Sequence, residues 1–521
     1  MGAPPEPDQR LPLPHLSTPP ASAASIATGS LLAASRPVRA LRAEIESVTG
    51  LRFGRRWTPG TIGVVWGRGG LTASSLRLAG RAILTVEPGP LLSPYDSPAT
   101  GLSTLRLTLD GAPFGGEAGI HAFDPWTRRP ISLGECRDKV AWLEGRFRDN
   151  SRPTVLVGIS RWKRPALDVF VGGPSGKPVH AMNAEDAVAK ARAGRARILA
   201  WATRMPERLP ALCAEQGIPL ARIEDGFLRS VGLGASLQPG ASIVVDDSGI
   251  YYDPRTESRL TRIFKTEDFP PELVARASAL RRLVVERRLT KYNVGLSGDA
   301  SGWPEDRRIV LVPGQVEDDA SVRHGSPHVR SNLELLRAAR ARNPTDFLLY
   351  KPHPDVEAGF RPGAIPDAEV LALADRIVAG LSIVDLLDRA HHVETMTSLA
   401  GFEALIRGLS VAVHGRPFYA GWGLTEDLAP GADKGRRLAL DELVAGALLV
   451  YPLYLDPVAM KPCTPEQLLD RLSESREAAA PSKLALSRRA QIVMRLRYAV
   501  LNPIVRLIRA RRGIGKGGDK A

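Results

Sequence analysis

Four short stretches carry side chains able to act together as chemistry. Glu224 and Asp225 open EDGFLRS. Gln315, Glu317, Asp318 and Asp319 lie in GQVEDDAS. Lys351, His353 and Asp355 lie in KPHPD, and Thr397, Ser398 and Glu403 lie in TSLAGFEAL. Carboxylates facing a phosphate-binding half across a cleft are what glycosyl transfer from a nucleotide sugar needs. One carboxylate attacks, or acts as base, at an oxocarbenium-like centre. Cations and helix amides steady the departing phosphate. A helix start with free N–H groups beside the hydroxyls of Thr397 and Ser398 is a seat for phosphate. Glu403, five and six positions beyond, is placed to accept hydrogen bonds from a sugar. Plainer readings stand beside these: Asp225 before Gly226 as turn chemistry, Glu317–Asp319 as a solvated loop or helix cap, His353 as a structural histidine between two prolines, Ser398 as an ordinary N-cap. The adjacent pair Asp246-Asp247 is a weak match to a metal-binding DxD. No HExxH, P-loop or GxSxG motif is present.

The elements that must position these groups alternate along the chain. TVLVGI, RILAWA and IPLARIED read as buried strands, with helices over Ala184–Ala193, Pro206–Gln216 and Pro271–Arg288. RIVLVPG, DFLLYKPHP, VETMT and SVAVHG continue the strands, with helices over Asn332–Arg342 and Leu399–Gly408. Such alternation predicts parallel sheets with crossover connections, and ligands in open α/β sheets bind beyond the carboxyl ends of the strands. The candidate residues cluster at those ends. The expected fold class is α/β: two Rossmann-type domains facing a cleft, a degenerate N-terminal α/β segment and a basic C-terminal helix. The expected divisions are 1–45, Pro/Ala-rich and without order; 46–152; 153–300; 301–470; and a tail, 471–521. Order is expected to begin near Thr61.

The segment Thr61–Arg152 reads as a worn copy of a later part. GVVWGRGGLTASSLRLAGRAILTVEPGPLLS parallels ILAWATRMPERLPALCAEQGIPLARIEDGFLRS, and TLRLTLDGAP parallels ASIVVDDSGIYYD. In that alignment Glu87-Pro88 stands where Glu224-Asp225 stands, so the aspartate is gone. Chance similarity of two α/β units is the alternative.

The net charge is +14, and eleven Lys/Arg against one acid lie between Lys483 and Ala521. That tail carries +10, leaving about +4 for the rest, so a nucleic-acid-binding body is not expected. Three scattered cysteines form neither a disulfide framework nor a zinc site, which fits a reducing cytoplasm. No transmembrane run, signal peptide or myristoylation motif is expected.

Taken together, EDGFLRS, VVDDSGIYYD, GQVEDDAS, KPHPDV, TSLAGFEAL and GRPFYAGWGLT resemble the bacterial capsule polysaccharide biosynthesis proteins of the KpsC/LipA type, over roughly Thr154–Pro465. The resemblance implies a GT-B-like pair of domains in a β-Kdo transferase with CMP-Kdo as donor, no metal, and a double displacement on a carboxylate. It implies Asp225 as nucleophile, with Glu224 beside it. His353 assists departure of the CMP phosphate, with Lys351 as its electrostatic partner. Thr397 and Ser398 hold the phosphate and Glu403 the ribose. Gln315 and Asp319 line the donor or sugar pocket, and Arg229 clamps the Kdo carboxylate. The implied partners are a lipid-linked acceptor and the capsule export machinery, with no nucleic acid. Members of this family carry two complete transferase domains, whereas only the second is whole here.

In the tail, Val493, Leu496, Val500, Ile504 and Leu507 share one helical face and Arg488, Arg495, Arg506 and Arg509 the other, while Arg497 interrupts the apolar side. A basic amphipathic helix suits an anionic lipid surface; a helix folded back on the protein is the alternative. The expected location is the cytoplasmic face of the inner membrane, held peripherally.

Overall fold

The computed structural model describes residues 30–478 apart from residues 34, 68–70, 230–239, 291–302 and 360. The basic amphipathic segment near the C-terminus lies outside the described residues. The chain forms two compact units, Met1–Arg146 and Phe147–Ala521.

In the first unit, strands Leu31–Ala33, Ile62–Trp66 and Ile83–Pro88 run parallel, and Thr104–Leu109, Ile120–Phe123 and Pro130–Ile131 follow antiparallel. Order therefore begins well before Thr61. Leu31, Val38, Leu41 and Ile45 are fully buried in one core with Val64 and Val86. A three-residue strand and two short helices, Arg36–Ala40 and Arg42–Thr49, are hidden by the Ala/Ser/Pro-rich composition around them. The strand is held by ladder bonds to a distant segment, a signal no local period carries.

Among the described residues the second unit holds two sheets. The first runs in the order Lys461–Pro462, Pro452–Asp456, Ser242–Asp246, Leu220–Asp225, Arg197–Trp201, Thr154–Val157, Val179–His180. Its four strands from Leu220–Asp225 to Val179–His180 are parallel, and Ser242–Asp246 and Pro452–Asp456 are antiparallel to their neighbours. The second sheet, Arg376–Ile377, Phe347–Lys351, Ile309–Pro313, His392–Thr395, Ser410–Val413, Glu426–Asp427, is parallel throughout. Residues 301–470 are thus not one contiguous lobe: Pro452–Asp456 and Lys461–Pro462 return to the first sheet. A run such as YPLYLDP carries strand propensity but nothing that names its partner.

The strand–helix–strand segments of the two units pair in the same register. Trp66 lies opposite Val86 as Trp201 lies opposite Ile223, and Glu87 opposite Arg106 as Glu224 opposite Val244. Gly89 N–H donates to the Thr104 carbonyl at 2.9 Å, and Gly226 N–H to the Ser242 carbonyl at 3.0 Å. The Thr104 hydroxyl donates to the Leu91 carbonyl and the Ser242 hydroxyl to the Leu228 carbonyl. A β-carbon at Gly89 or Gly226 would come within 2.4 Å of that hydroxyl oxygen, so only glycine permits the close approach in each place.

Candidate active site

Asp225 is the last residue of its strand and meets two cations. Lys163 Nζ lies 3.0 Å from Oδ1 and 3.1 Å from Oδ2, and Arg229 Nε donates to Oδ2 at 2.9 Å. Lys163 comes from the turn Arg161–Lys163 that follows the parallel strand Thr154–Val157. Its ammonium sits 3.4 Å from the centroid of the Trp201 ring, a cation–π contact on the neighbouring strand. Burial pushes the Lys163 ammonium below the ordinary lysine range, against the pull of Asp225 and Glu224. The Glu224 carboxylate accepts the Asp225 backbone N–H at 3.2 Å. Gly240 closes the other side, where a β-carbon would stand 2.8 Å from Asp225 Oδ1. Asp225 thus ends its strand as an ion-paired carboxylate between two cations.

Arg229 does not serve as a free clamp for a substrate carboxylate. Its side chain is 2% exposed and its Nε is spent on Asp225. The i, i+4 spacing was visible in the sequence, but burial turned the guanidinium toward the chain's own carboxylate rather than the cleft. Asp246 is likewise internal: its carboxylate accepts from Ser248, Gly249 and Arg259 backbone N–H groups and from the Tyr451 hydroxyl. Among the described residues no group of three or more His, Cys, Asp or Glu is arranged to hold a metal.

The second sheet presents the other half. Lys351 ends its strand, and burial lowers its ammonium from the usual range. His353 accepts the Asp355 N–H on Nδ1 at 3.1 Å, which leaves the proton of the neutral ring on Nε2. Burial lowers the His353 imidazolium against the pull of Asp355 and Asp319, so the neutral ring is favoured at pH 7. Gln315 fastens the turn after His392–Thr395: its Oε1 accepts Thr397 N–H at 2.9 Å and its Nε2 donates to Thr397 Oγ1 at 3.0 Å. Ser398 caps the helix Leu399–Leu405 by accepting Ala400 N–H. Glu403 is buried on that helix, its charge facing Arg407 and Tyr419. Asp319 is exposed and caps Ala320–Gly325 through Ser321, so the cap reading of that acidic run holds for Asp319.

The two halves meet. Phe227, two residues past Asp225, stacks on Phe418 at 4.5 Å and lies 6.1 Å from Phe402, which belongs to the Ser398 helix. Tyr252 carries its hydroxyl within the electrostatic reach of both Glu224 and Asp319. Aromatic contacts of this kind contribute about 0.5–1.5 kcal/mol each beyond area burial, which holds the strand end of one sheet against the helix start of the other.

Beneath the Thr397 turn lies a buried ionic network that the sequence did not reveal. Glu394, fully buried, accepts from Arg342 Nε at 3.0 Å, Asn343 Nδ2 at 2.9 Å and His414 Nε2 at 2.6 Å, with His392 Nε2 at 3.5 Å. Burial would raise its carboxyl, but the bonds from His392, His414 and Asn343 outweigh burial and hold it far below the usual range. No helix among the described residues is long and apolar enough to cross a membrane.

Comparison with known proteins shows the family and the fold. Residues 196–455 match the family described as capsule polysaccharide biosynthesis protein. The chain is 44% identical over 335 residues to the capsule polysaccharide modification protein LipA of Neisseria meningitidis serogroup A, covering 64% of this chain and 47% of that protein. It is 33% identical to the solved Thermosulfurimonas dismutans KpsC β-Kdo 2,7-transferase, with a TM-score of 0.51 over 62% of this chain and 99% of that one. It is 31% identical to the β-Kdo 2,4-transferase structure of the same protein, with a TM-score of 0.52 over 62% and 98%. The chain spans about half the length of the curated relatives it matches. Its two facing Rossmann-type sheets have a GT-B-like fold, and the chain belongs to the capsule polysaccharide biosynthesis family, of the KpsC/LipA type.

Proposed function

We propose that this chain is a retaining β-Kdo transferase that moves Kdo from CMP-Kdo to a lipid-linked acceptor during capsule linker synthesis. The observation that carries the reading is Asp225, held at a strand end by Lys163 and Arg229 and joined through Phe227 to the helix that begins at Ser398. The Kdo transferases that the chain is similar to in structure support the choice of sugar.

In this reading an Asp225 oxygen attacks the anomeric carbon while the bond from that carbon to the CMP phosphate breaks. The electron pair leaves on the phosphate. Lys351, the His353 Nε2–H and the hydroxyls of Thr397 and Ser398, which accept from Gln315 and Ala400 and keep a hydrogen to donate, receive that charge. Glu403 takes the ribose hydroxyls, and Gln315 keeps the Thr397 turn in shape. Asp319, as a helix cap, is at most a wall of the donor pocket. An acceptor hydroxyl then attacks the same carbon, loses its proton to a carboxylate, and releases Asp225. Two inversions give retention. Glu224 orients Asp225 through the backbone, and no step calls for a metal. The basic tail would bring the enzyme to an anionic membrane surface on the cytoplasmic side. We read the first unit as a truncated copy without chemistry, because Pro88 and Leu92 stand at the positions of Asp225 and Arg229.

The test is mass spectrometry of the full chain quenched after exposure to CMP-Kdo alone. One Kdo residue on Asp225 is expected, absent in Asp225→Ala. An unmodified aspartate in a protein that still transfers Kdo refutes the double displacement. Transfer from a different nucleotide sugar, with none from CMP-Kdo, refutes the donor.

A further inference from the structure

A cavity of about 140 Å³ lies between the segment Ile250–Lys265 and the loop Arg416–Phe418, with Lys434 closing it. We propose that it is an oxyanion subsite that takes a phosphate group of the lipid-linked acceptor, an assignment that rests on the transferase reading.

Three cations line it: Lys265, Arg416 and Lys434. The two carboxylates in its wall are already matched. Glu257 pairs with Lys265 at 2.8 Å, and both oxygens of Asp253 are bound by Arg255. Among the described residues the side chains of Arg416 and Lys434 have neither a hydrogen-bond nor an ion-pair partner, and Arg416 Nε is buried without an acceptor. Burial, then the charges of Lys265 and Arg416, push the Lys434 ammonium below the ordinary lysine range, and Asp427 and Glu257 oppose this only in part. A buried guanidinium nitrogen without a partner is costly, and two positive charges left over in one recess repel. A group with several acceptor oxygens and negative charge relieves both at once, and phosphate is the group that Arg and Lys bind this way.

Size narrows the ligand. The cavity holds the equivalent of roughly four or five waters at about 30 Å³ each. That admits a phosphate group and is smaller than the roughly 300 Å³ at which pockets for whole small molecules begin. Position narrows it further. Tyr251 and Phe418 form part of the wall. The Tyr251 hydroxyl donates to the Asp225 carbonyl at 3.3 Å, and Phe418 stacks on Phe227. The recess is thus one aromatic layer from the strand end that carries Asp225. Arg416 N–H donates to the Gly325 carbonyl at 2.7 Å, and a β-carbon on the preceding Gly415 would lie 2.6 Å from the Thr397 methyl. The recess therefore borders the Thr397 turn as well; the single phosphate of CMP-Kdo is taken up at that turn in the proposed reaction, which leaves the phosphate of the lipid-linked acceptor for the recess.

The test has two arms on the full-length protein. The first follows the thermal midpoint as inorganic phosphate replaces chloride at constant ionic strength. It makes no use of the transferase reading. The midpoint is expected to rise in the parent chain, with apparent affinity weakened at least about tenfold in Arg416→Gln and Lys434→Met. An absent rise, or an equal rise in both variants, overturns the subsite. If either variant fails the far-UV circular dichroism check, Lys434→Gln takes its place. The second arm rests on the transferase reading and measures KM for donor and acceptor separately. A KM that rises for the acceptor alone supports the assignment, and one that rises for CMP-Kdo alone overturns it. Both KM values unchanged in active variants overturn a substrate role. Loss of the phosphate response in a chain that transfers nothing would separate failure of the transferase reading from failure of the subsite.

Discussion

Replacing Lys163 by methionine keeps the length of the side chain and removes its charge. In the structure Nζ lies 3.0 Å and 3.1 Å from the two oxygens of Asp225, with the two side chains 13% and 19% exposed. At that separation the gross attraction is about 5.5 kcal/mol for an effective dielectric constant near 20. Breaking a buried pair costs about 3–5 kcal/mol, and partial exposure with Arg229 still in place brings the expected loss of stability to about 2 kcal/mol. The rate is subject to two opposed effects. A carboxylate relieved of one cation is a better nucleophile, but it also loses the contact that fixes both its oxygens. Misplacement of a reacting group by about 1 Å costs on the order of 10²-fold, or about 2.7 kcal/mol of barrier, and we expect this effect to win. The assay is the rate at which the glycosyl–enzyme adduct forms from CMP-Kdo in a quenched single turnover, beside urea unfolding. A Lys163→Met chain that forms adduct within threefold of the parent rate, or faster, would refute the view that Lys163 positions Asp225.

Gly240→Ala places a methyl 2.8 Å from Asp225 Oδ1, against a carboxylate that cannot swing away while Lys163 and Arg229 hold it. A fall in kcat of about 10- to 10²-fold is expected with little change in stability; normal turnover would show that the carboxylate has room to move. Glu394→Gln should cost about 3 kcal/mol at neutral pH. Because the native carboxyl of Glu394 is depressed, its contribution is present above the model-peptide value of 4.5 and lost as pH falls toward the native value. The gap in urea midpoint between parent and variant should therefore narrow below about pH 4.5, and a gap independent of pH down to acid unfolding would contradict the ionic role.

Much of the second unit was legible because its strands are near-continuous runs of Val, Ile and Leu, the mark of parallel strands buried on both faces. TVLV, RILAW, IVLVP and FLLYK all fall where the structure has strands. The strand-end rule then collected Asp225, Gln315, Lys351 and Thr397 without knowledge of the contacts between sheets. What stayed hidden was pairwise. Lys163 lies 62 residues before Asp225 and reaches it only because Thr154–Val157 and Leu220–Asp225 flank the same strand. Glu394 lies on one strand and His414, 20 residues on, just past the end of the adjacent parallel strand, and each read singly is an unremarkable polar position. The guanidinium fork of Arg229 suits a carboxylate, but its burial, which decides what the fork holds, depends on packing that no spacing encodes.

The return of Pro452–Asp456 to pair with Ser242–Asp246 bears on any attempt to express the halves separately. A fragment stopping before residue 303 would leave Ser242–Asp246 as a bare outer strand of buried-type sequence, with Ile243 and Val244 facing a missing neighbour. Such a margin invites self-association. A fragment confined to the other half would carry Pro452–Asp456 with nothing to join. Anyone dividing this gene for domain studies should therefore splice residues 452–478 onto the first half, rather than cut once between the lobes.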